Sequence, residues 1–469
     1  MDSLEDIIRR DGGIVPRLRN SRIGMYVYPV VASEFSNWRD EQRAWRESAV
    51  LFDQSHHMDE IVVEGRDAAG FLQGLAINSF ANFGPDRAKH FVAVGPEGYV
   101  IGDMIAFREE EDRFVLVGRA PTANWVQWNA ALGRHDVRVA RDPRSPSRPD
   151  GQKVDRIHYR FQIQGPQANA ILERINGGPV PEIAFFHTGW INVGDRRVRA
   201  LRHGMAGAPG LEIWGPYAEK DAVRDAVLRA AAAAGVDLRQ VGSRAYSTNT
   251  LESGWIPSPL PAIYTAPELA PYRQWLKADS YEANGAIGGS FASDDIRDYY
   301  TSPYELGYGI YVKFDHDFVG RPALEAMKDK PRRKKVTFEW NGEDVVKVIA
   351  SAFQRDADPF KWIDFPQPNY ASSSFDRVMQ GDRVAGLSMF NGYSYNERCM
   401  LSLGVVDADV AVGDVLTLVW GEPDGGTGKT STERHRQAGI RVRVAPTPYA
   451  REARENYADS WRTRQPQPA

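Results

Sequence analysis

Residues 90–107 read HFVAVGPEGYVIGDMIAF, two β-rich runs on either side of a Pro-Glu-Gly sequence at 96–98. Proline and glycine at the centre of such a pair predict a hairpin turn. Another β-rich run, RFVLVG, occupies residues 113–118, and residues 121–132 are typical of a helix. Together with IVVEG at 61–65, these runs predict an α+β unit in which short strands alternate with turns and helices.

The same order of patterns returns after the Pro- and Ser-rich stretch DPRSPSRPD at 142–150. The expected elements are, in order, a strand at 159–164, a helix after Pro166, strands near 190–193, 197–202 and 211–214, and an alanine-rich helix at 218–234 that stops at Gly235. The stretches 50–140 and 155–240 share this rhythm. They therefore suggest a pseudo-repeat.

Beyond about residue 330 the pattern changes to spaced strands with few helical signals, typical of a small antiparallel barrel or sandwich. The strand-like runs are KKVTFEW (334–340), RVAGLSMF (383–390), RCMLSLGVV (398–406), DVLTLVWG (414–421) and GIRVRVAP (439–446). We predict an α+β body of two domains, 1–150 with a helical lead-in at 35–48 and 151–330, followed by a C-terminal β domain at 331–469.

The composition excludes several classes of function. The 469 residues carry 58 basic and 62 acidic side chains, a net charge of −4, which argues against nucleic acid as the main partner. The basic run at 332–335 is too short to change this, and we expect it to be a solvated stretch ahead of a strand. Cys399 is the only cysteine, so neither disulfides nor a thiolate metal cluster are expected.

From the sequence we expect neither secretion nor membrane insertion. Residues 1–10, MDSLEDIIRR, have no apolar core of the kind found in a signal peptide. No segment approaches the roughly twenty apolar residues that span a bilayer. We expect a soluble cytoplasmic protein with no membrane partner.

Common catalytic motifs are missing or incomplete. GGTGKT at 425–430 lacks the first glycine of a phosphate loop, because Pro423 stands in its place, and it lies between two predicted strands. We therefore expect a flexible hairpin loop. The nine histidines are scattered, only His56 and His57 adjoin, and no metal-binding spacing is present, so metal catalysis is not expected. Neither GxSxG nor GxGxxG is found.

Several polar residues stand where a binding site could form. Asp103 follows the predicted hairpin turn, so its carboxylate is either an exposed strand end or a pocket ligand. Arg119 follows a strand and precedes a helix; it is either a surface residue or able to hold a carboxylate through two hydrogen bonds. Glu212 shares a strand face with Trp214 and could accept paired N–H donors from a heterocycle. The polar and aromatic run at 246–264 is either part of a site or a rigid linker.

Two of these segments, together with a third at 318–324, resemble the T-proteins, the folate-dependent aminomethyltransferases of the glycine cleavage system. FVGRPAL at 318–324 after Lys313, LESGW at 251–255 and GLEIW at 210–214 are similar to signatures of that family, in the same order. The similarity is closer to one branch, the tetrahydrofolate-dependent aromatic O-demethylases of the vanillate and 3-O-methylgallate type. The matching segments include YVYPVV (26–31), AVLFDQSHHM (49–58), VGRAPTANW (117–125), RFQIQGP (160–166), LRHGMAGAPGLEIWGPY (201–217) and GSRAYSTNTLESGWIPSPLPAIYT (242–265).

The resemblance implies a T-protein-like, three-domain folate-binding fold, with the site shared between the first two domains. It also implies an enzyme, monomeric or a weak homo-oligomer, that moves the methyl group of a methoxylated aromatic acid to N5 of tetrahydrofolate, the cofactor. Vanillate would give protocatechuate and 3-O-methylgallate would give gallate. The alternatives are syringate demethylation, demethylation of dimethylsulfoniopropionate or of methylated amines, and a folate-binding regulatory protein without turnover.

The resemblance also implies roles for single residues. Tyr246 matches the catalytic tyrosine of this branch. The positions that match binding of the aromatic acid are Tyr28, His57 and Arg119. The positions that resemble the folate side are Asp103, Gln164, Glu212 and Trp255. T-proteins usually carry two adjacent aspartates where this chain has Gly102-Asp103, which favours an ether substrate over an aminomethyl-lipoyl one.

Overall fold

The computed structural model describes residues 2–23, 28–146, 155–205, 207–257, 259–330, 333–426 and 428–455. The strands are β1 (Ala49–Asp53), β2 (Asp59–Glu64), β3 (Arg87–Val94), β4 (Val100–Glu110), β5 (Arg113–Gly118), β6 (Arg138–Asp142), β7 (His158–Gln164), β8 (Thr188–Val193), β9 (Arg196–Leu201), β10 (Gly210–Pro216), β11 (Leu238–Gln240), β12 (Ile287–Gly288), β13 (Lys334–Trp340), β14 (Ser373–Ser374), β15 (Asp376–Gln380), β16 (Arg383–Ser394), β17 (Cys399–Val406), β18 (Val415–Trp420) and β19 (Ala438–Ala445).

The α-helices are mostly short and lie between the strands or between the sheets. They are α1 (Leu4–Arg10), α2 (Ile14–Arg19), α3 (Trp38–Glu47), α4 (Ala68–Gln73), α5 (Ala120–Ala131), α6 (Ala168–Asn176), α7 (Lys220–Ala233), α8 (Ser243–Tyr246), α9 (Asn249–Ser253), α10 (Ala270–Trp275), α11 (Tyr281–Asn284), α12 (Arg321–Met327) and α13 (Gly342–Ser351). No helix among the described residues is both long and apolar enough to cross a membrane.

The suggested pseudo-repeat is present as a repeated order of elements. The first copy runs β2-α4-β3-β4-β5-α5-β6 and forms a sheet of order β3-β4-β5-β2-β6. The second runs β7-α6-β8-β9-β10-α7-β11, and its sheet has the order β11-β1-β7-β10-β9-β8. The two sheets differ at one point. In the second sheet β1 lies between β7 and β11, whereas the corresponding strands of the first sheet, β2 and β6, pair directly. The division at residues 150 and 330 stays a prediction.

The predicted hairpin at 90–107 is confirmed. Strands β3 and β4 pair antiparallel, with Phe91 opposite Met104 and Val92 opposite Asp103. Gly98 in the turn has a φ of +80°, a left-handed conformation that residues with a Cβ rarely adopt. The helix predicted at 121–132 is α5, with Pro121 in its first turn, where a missing N–H costs nothing.

The C-terminal strands close into a barrel of order β13-β17-β16-β15-β18-β19, which decides between the two predicted architectures. All five predicted runs form barrel strands, and residues of β19 alternate between buried and exposed as expected for one wall of a barrel. The short strand β15 and the helix α13 were not predicted. The helix has the Asn341 side chain as its N-cap, accepting from the Asp344 N–H.

Two expectations about lysine-bearing segments are only partly met. The GGTGKT loop does join β18 to β19, but Lys429 within it is buried and donates to the Ile287 carbonyl. The loop is therefore attached to the body rather than free in solvent. The basic run at 332–335 is solvated at Lys334, but Lys335 donates from Nζ to the Gly254 carbonyl at 2.8 Å. Arg332 lies outside the described residues.

Glu252, in the LESGW segment, joins the body to the barrel. Its side chain is buried and accepts hydrogen bonds from Trp45 Nε1 at 3.1 Å and from Arg46 Nη2 at 2.7 Å, both on α3. It also accepts from Ser394 Oγ on β16 at 2.8 Å and from Asn396 Nδ2 at 3.1 Å. One carboxylate thus holds α3, α9 and the edge of the barrel together.

We predict that Glu252→Gln lowers the free energy of unfolding by roughly 2–3 kcal/mol, because several enclosed donors lose a charged acceptor. Urea denaturation of the purified variant measures this. The control is Glu111→Gln, whose parent side chain is 78% exposed and which should change stability by less than about 0.5 kcal/mol. Equal stability of the two variants would contradict the joining role of Glu252.

Candidate active site

One cavity of about 850 Å³ lies between the two sheets, the segment around residues 246–257 and the barrel. Seven of the eight residues predicted for the site line it: Tyr28, His57, Asp103, Arg119, Glu212, Tyr246 and Trp255. Strand β4 runs along its wall with alternate residues Asp103, Ile105 and Phe107 facing inward. These three positions span about 14 Å of strand, so the cavity has two separated ends.

Gln164 does not line the cavity. It is buried on β7, and its Oε1 accepts a hydrogen bond from the backbone N–H of Met205 at 2.7 Å. Met205 does line the cavity, and its sulfur lies 3.7 Å from the Tyr246 hydroxyl and 2.7 Å from Gln54 Nε2. Gln164 therefore holds the wall through Met205.

A chain of three aromatic side chains occupies the end of the cavity near Tyr246. The Tyr28 hydroxyl lies 2.6 Å from His57 Nδ1, and the Tyr246 hydroxyl lies 3.3 Å from His57 Nε2. The Tyr28 and Tyr246 rings also contact each other, with centroids 4.6 Å apart. His57 follows β1, and Tyr246 ends α8, with Phe52 of β1 against its ring at 5.3 Å.

His57 is held in its neutral form. Burial lowers its pKa well below 6.5, and the positive charges of Arg144, Arg119 and Arg156 lower it further. A neutral imidazole has one nitrogen that donates and one that accepts. One tyrosine hydroxyl must therefore donate to His57 while the other accepts from it.

Asp103 holds an ionised carboxylate at one end of β4. Its Oδ2 lies 2.6 Å from His90 Nε2 and accepts from the Tyr308 hydroxyl at 3.0 Å and from Trp255 Nε1 at 3.4 Å. Burial alone would raise the pKa of Asp103, but these hydrogen bonds and the charge of His90 bring it below its usual value. The sequence alone did not single out His90 or Tyr308, although the hairpin register places His90 diagonally across from Asp103.

Glu212 lies at the opposite end, next to a buried arginine. Arg160 donates from Nη1 to Glu212 Oε1 at 2.9 Å and from Nε to Glu60 Oε1 at 2.7 Å. Its guanidinium lies between the Phe107 and Trp214 rings, 5.1 and 4.9 Å from their centroids. Burial raises the pKa of Glu212 although Arg160 opposes the shift. The sequence alone did not identify Arg160, whose partners come from distant strands.

Arg119 directly precedes α5, and its guanidinium contacts the segment after α9. Nη1 donates to the Pro257 carbonyl at 2.7 Å, and Nη2 donates to the Tyr281 hydroxyl at 3.2 Å. Arg119 thus lines the cavity, and its role toward a carboxylate stays a prediction. Two protein contacts fix the orientation of the guanidinium at the cavity wall.

Comparison with known proteins identifies the family. The profile of the GCVT N-terminal domain matches residues 21–258, about half of the chain.

The chain belongs to the GCVT family.

Among the relatives of this GCVT-family protein, syringate O-demethylase from Sphingobium sp. SYK-6 is 47% identical over 463 residues, covering 98% of this chain and 99% of the relative. Sesamin methylene transferase from Sinomonas sp. is 29% identical, with 82% of each chain covered. The solved structure of the glycine cleavage system aminomethyltransferase T from Bartonella henselae has a TM-score of 0.58 at 18% identity, covering 91% of this chain and 92% of that one. The T-protein-like fold, the enzyme class and tetrahydrofolate as cofactor are thereby confirmed.

We predict that His57 makes stability depend on pH. Its pKa is near 6.5 when unfolded and lower when folded, so the unfolded chain binds the extra proton. The contribution is complete above pH 6.5 and is lost as pH falls, by up to about 1.4 kcal/mol per pH unit. Urea denaturation at pH 7.5 and 5.5 should therefore show a smaller loss for His57→Gln than for the parent. Identical losses in both proteins would contradict a neutral buried His57.

Proposed function

We propose that this protein demethylates a methoxylated aromatic acid and passes the methyl group to tetrahydrofolate. The observation that carries the proposal is the Tyr28–His57–Tyr246 chain at one end of a cavity that also holds Arg119 and two carboxylates. A hydroxyl donor, a fixed cation and an apolar wall suit an aromatic ring with one acidic substituent. The 47% identity to a protein named syringate O-demethylase supports the same chemistry.

The residues at the Glu212 end fit the folate. Glu212 is nearly buried on the cavity wall and uses only Oε1 for Arg160 in the described part of the chain, so Oε2 can accept N–H groups of a heterocycle. Asp103 and Trp255 add a carboxylate and an indole at another part of the cavity wall. When bound, tetrahydrofolate supplies N5, the nucleophile that accepts the methyl group.

In this proposal Tyr246 donates its hydroxyl proton to the oxygen atom that leaves the methyl group. With neutral His57, we assign the tautomer in which Tyr28 donates to Nδ1 and the Nε2 proton is donated to the Tyr246 oxygen. In this arrangement the Tyr246 hydroxyl donates to the weak acceptor Met205 Sδ at 3.7 Å, and the ether oxygen of a bound substrate would take the place of that acceptor. A tyrosine hydroxyl, near pKa 10 in water, is similar in acidity to a phenol, so the proton transfer is nearly matched.

The proposal extends to the identity of the preferred aromatic acid. The resemblance in sequence motifs supports vanillate and 3-O-methylgallate, and the similarity to the Sphingobium protein supports syringate. All three carry a carboxylate and a methoxy group on one ring. Arg119 would hold the carboxylate, and Tyr246 would donate to the methoxy oxygen. We therefore propose these three acids as the substrates to compare.

The direct experiment incubates the purified protein anaerobically with tetrahydrofolate and each acid, and follows both products by chromatography. Equal amounts of 5-methyltetrahydrofolate and demethylated acid establish the reaction, and the relative rates name the substrate. Folate binding without product would overturn the aromatic assignment. Methylated amines and sulfonium compounds would then be tested, before a binding role without turnover is accepted.

Replacing the catalytic hydroxyl gives a sharp prediction. Tyr246→Phe keeps the ring that contacts Tyr28 and Phe52 but removes the proton donor, so kcat should fall by about 10²- to 10⁴-fold. KM for the acid should change far less. Steady-state kinetics with syringate measure both. Normal turnover by the variant would refute the role of Tyr246.

A second prediction concerns the folate. Glu212→Gln removes a charged acceptor, and affinity for tetrahydrofolate should fall by roughly 10- to 100-fold, the effect of one charged hydrogen bond. Anaerobic calorimetry measures the affinity, and Glu111→Gln is the exposed control. A melting temperature recorded for both variants separates lost binding from lost folding, since Glu212 also pairs with Arg160. Unchanged affinity would count against Glu212 as a folate ligand.

A further inference from the structure

Lys335, near the start of the barrel strand β13, places an ammonium group at the wall of the cavity. Its backbone is fixed by the pairing of β13 with β17, where Lys335 lies opposite Val405. Lys335 Nζ donates to the Gly254 carbonyl at 2.8 Å, and a Cβ added at Gly307 would lie 3.1 Å from the same nitrogen. Two glycines that also line the cavity therefore flank the ammonium group.

No carboxylate of the described residues neutralises this ammonium group. In that part of the chain its acceptor is the uncharged carbonyl of Gly254. Burial lowers the pKa of Lys335 to about 8, and no charge of a described residue raises it again. The group is still mostly protonated at neutral pH. A cation that is partly removed from water gains from an anionic partner, and a bound ligand can supply one.

The ammonium group lies beside the part of the wall that the resemblance in sequence assigns to the folate. Gly254, which accepts its hydrogen bond, directly precedes Trp255. The Trp255 indole donates to the Tyr308 hydroxyl at 2.9 Å, and Gly307 directly precedes Tyr308. Each glycine beside Lys335 is therefore one residue away from a side chain of this part of the wall.

A second pocket, of about 580 Å³, shares Lys335 with the cavity. Five basic residues, one acidic residue and one tyrosine line it: Lys328, Lys330, Arg333, Lys334, Lys335, Asp329 and Tyr304. Glu305 pairs with Arg333 at 2.6 Å, which offsets one of the five positive charges. The described residues of this basic pocket therefore keep an excess of positive charge, which attracts a ligand with several carboxylates.

We propose that Lys335 binds a carboxylate of the glutamate tail of tetrahydrofolate, and that the basic pocket binds the further glutamates of a polyglutamylated folate. The inference rests on the proposed function and adds to it the form of folate that accepts the methyl group. With the pterin at Glu212, the aminobenzoyl ring would lie near Trp255 and the first glutamate at Lys335. Each further glutamate brings one more carboxylate to the basic pocket.

The test compares tetrahydropteroate, which lacks the glutamate, with tetrahydrofolate and with its triglutamate form. Anaerobic calorimetry measures the affinity of each for the parent protein and for Lys335→Met, which keeps an unbranched side chain without the charge. We expect the variant to bind tetrahydrofolate about 10- to 100-fold more weakly, with less than about threefold change for tetrahydropteroate. Lys335→Arg should recover part of the loss, because it keeps the charge.

The basic pocket is tested with the double variant Lys330→Gln and Lys334→Gln. The parent should bind the triglutamate more tightly than the monoglutamate. This difference should shrink in the double variant and at high salt, because both weaken the attraction between the pocket and the additional carboxylates. Affinity of the double variant for the monoglutamate should stay within about twofold of the parent, since Lys335 is unchanged.

The matched control is Lys347→Met. Lys347 is exposed on α13, which packs against the barrel, and it lines neither the cavity nor the basic pocket. Its loss should leave the affinities for all three folate compounds unchanged.

Equal losses for tetrahydropteroate and tetrahydrofolate in Lys335→Met would mean a structural role and would overturn the inference. Weaker binding of vanillate with unchanged folate affinity would do the same, because it would assign the ammonium group to the aromatic acid. If no methoxylated acid is demethylated, the proposed function fails, and the comparison of tetrahydropteroate with tetrahydrofolate still decides the role of Lys335. If Lys335→Met does not fold, Lys335→Gln is measured by the same criteria.

Discussion

The two sheets of this protein are joined by a buried guanidinium. Arg160 lies on the second sheet, but it pairs with Glu60 on the first sheet as well as with Glu212 on its own. Removing three charges from water is costly unless each finds a partner, and here both carboxylates and two aromatic rings enclose the arginine. Burial alone would raise the pKa of Glu60, but Arg160 and His158 lower it to about 2. The relative position of the sheets, and with it the width of the cavity, depends on this contact.

The cavity wall carries charges of both signs. Asp103 on β4 and Glu212 on β10 are each held by N–H donors of the protein, and Arg119 also lines the cavity. Neutral His57 lies between two tyrosine hydroxyls. Its hydrogen bond to Tyr246 orients the hydroxyl proton of Tyr246, and this requires no additional buried charge.

Much of the architecture was predictable from local patterns. The hairpin at 90–107, the helix after Arg119 and the five barrel runs follow from the spacing of apolar and turn residues, which depends only on neighbours in the chain. Motif resemblance named seven cavity-lining residues for the same reason, since each motif is a short continuous segment. Gln164 belongs to a matching segment but lies behind the cavity wall, where it accepts a hydrogen bond from the backbone N–H of Met205, and its role on the folate side stays a prediction.

The sequence by itself determined the types of the main strands and helices of the repeat and the barrel, their repeated order, the family and seven of the residues that line the cavity. Only the tertiary structure decided that β1 joins the second sheet and that the C-terminal strands close into a barrel. It also decided which side chains that are distant in sequence are in contact. The contacts of His90 with Asp103 and of Arg160 with Glu60 are two examples. Apolar periodicity records which face of an element is buried, but it carries no information on what that face meets. Partner choice depends on strand register and on packing between sheets, which are set by the whole chain at once.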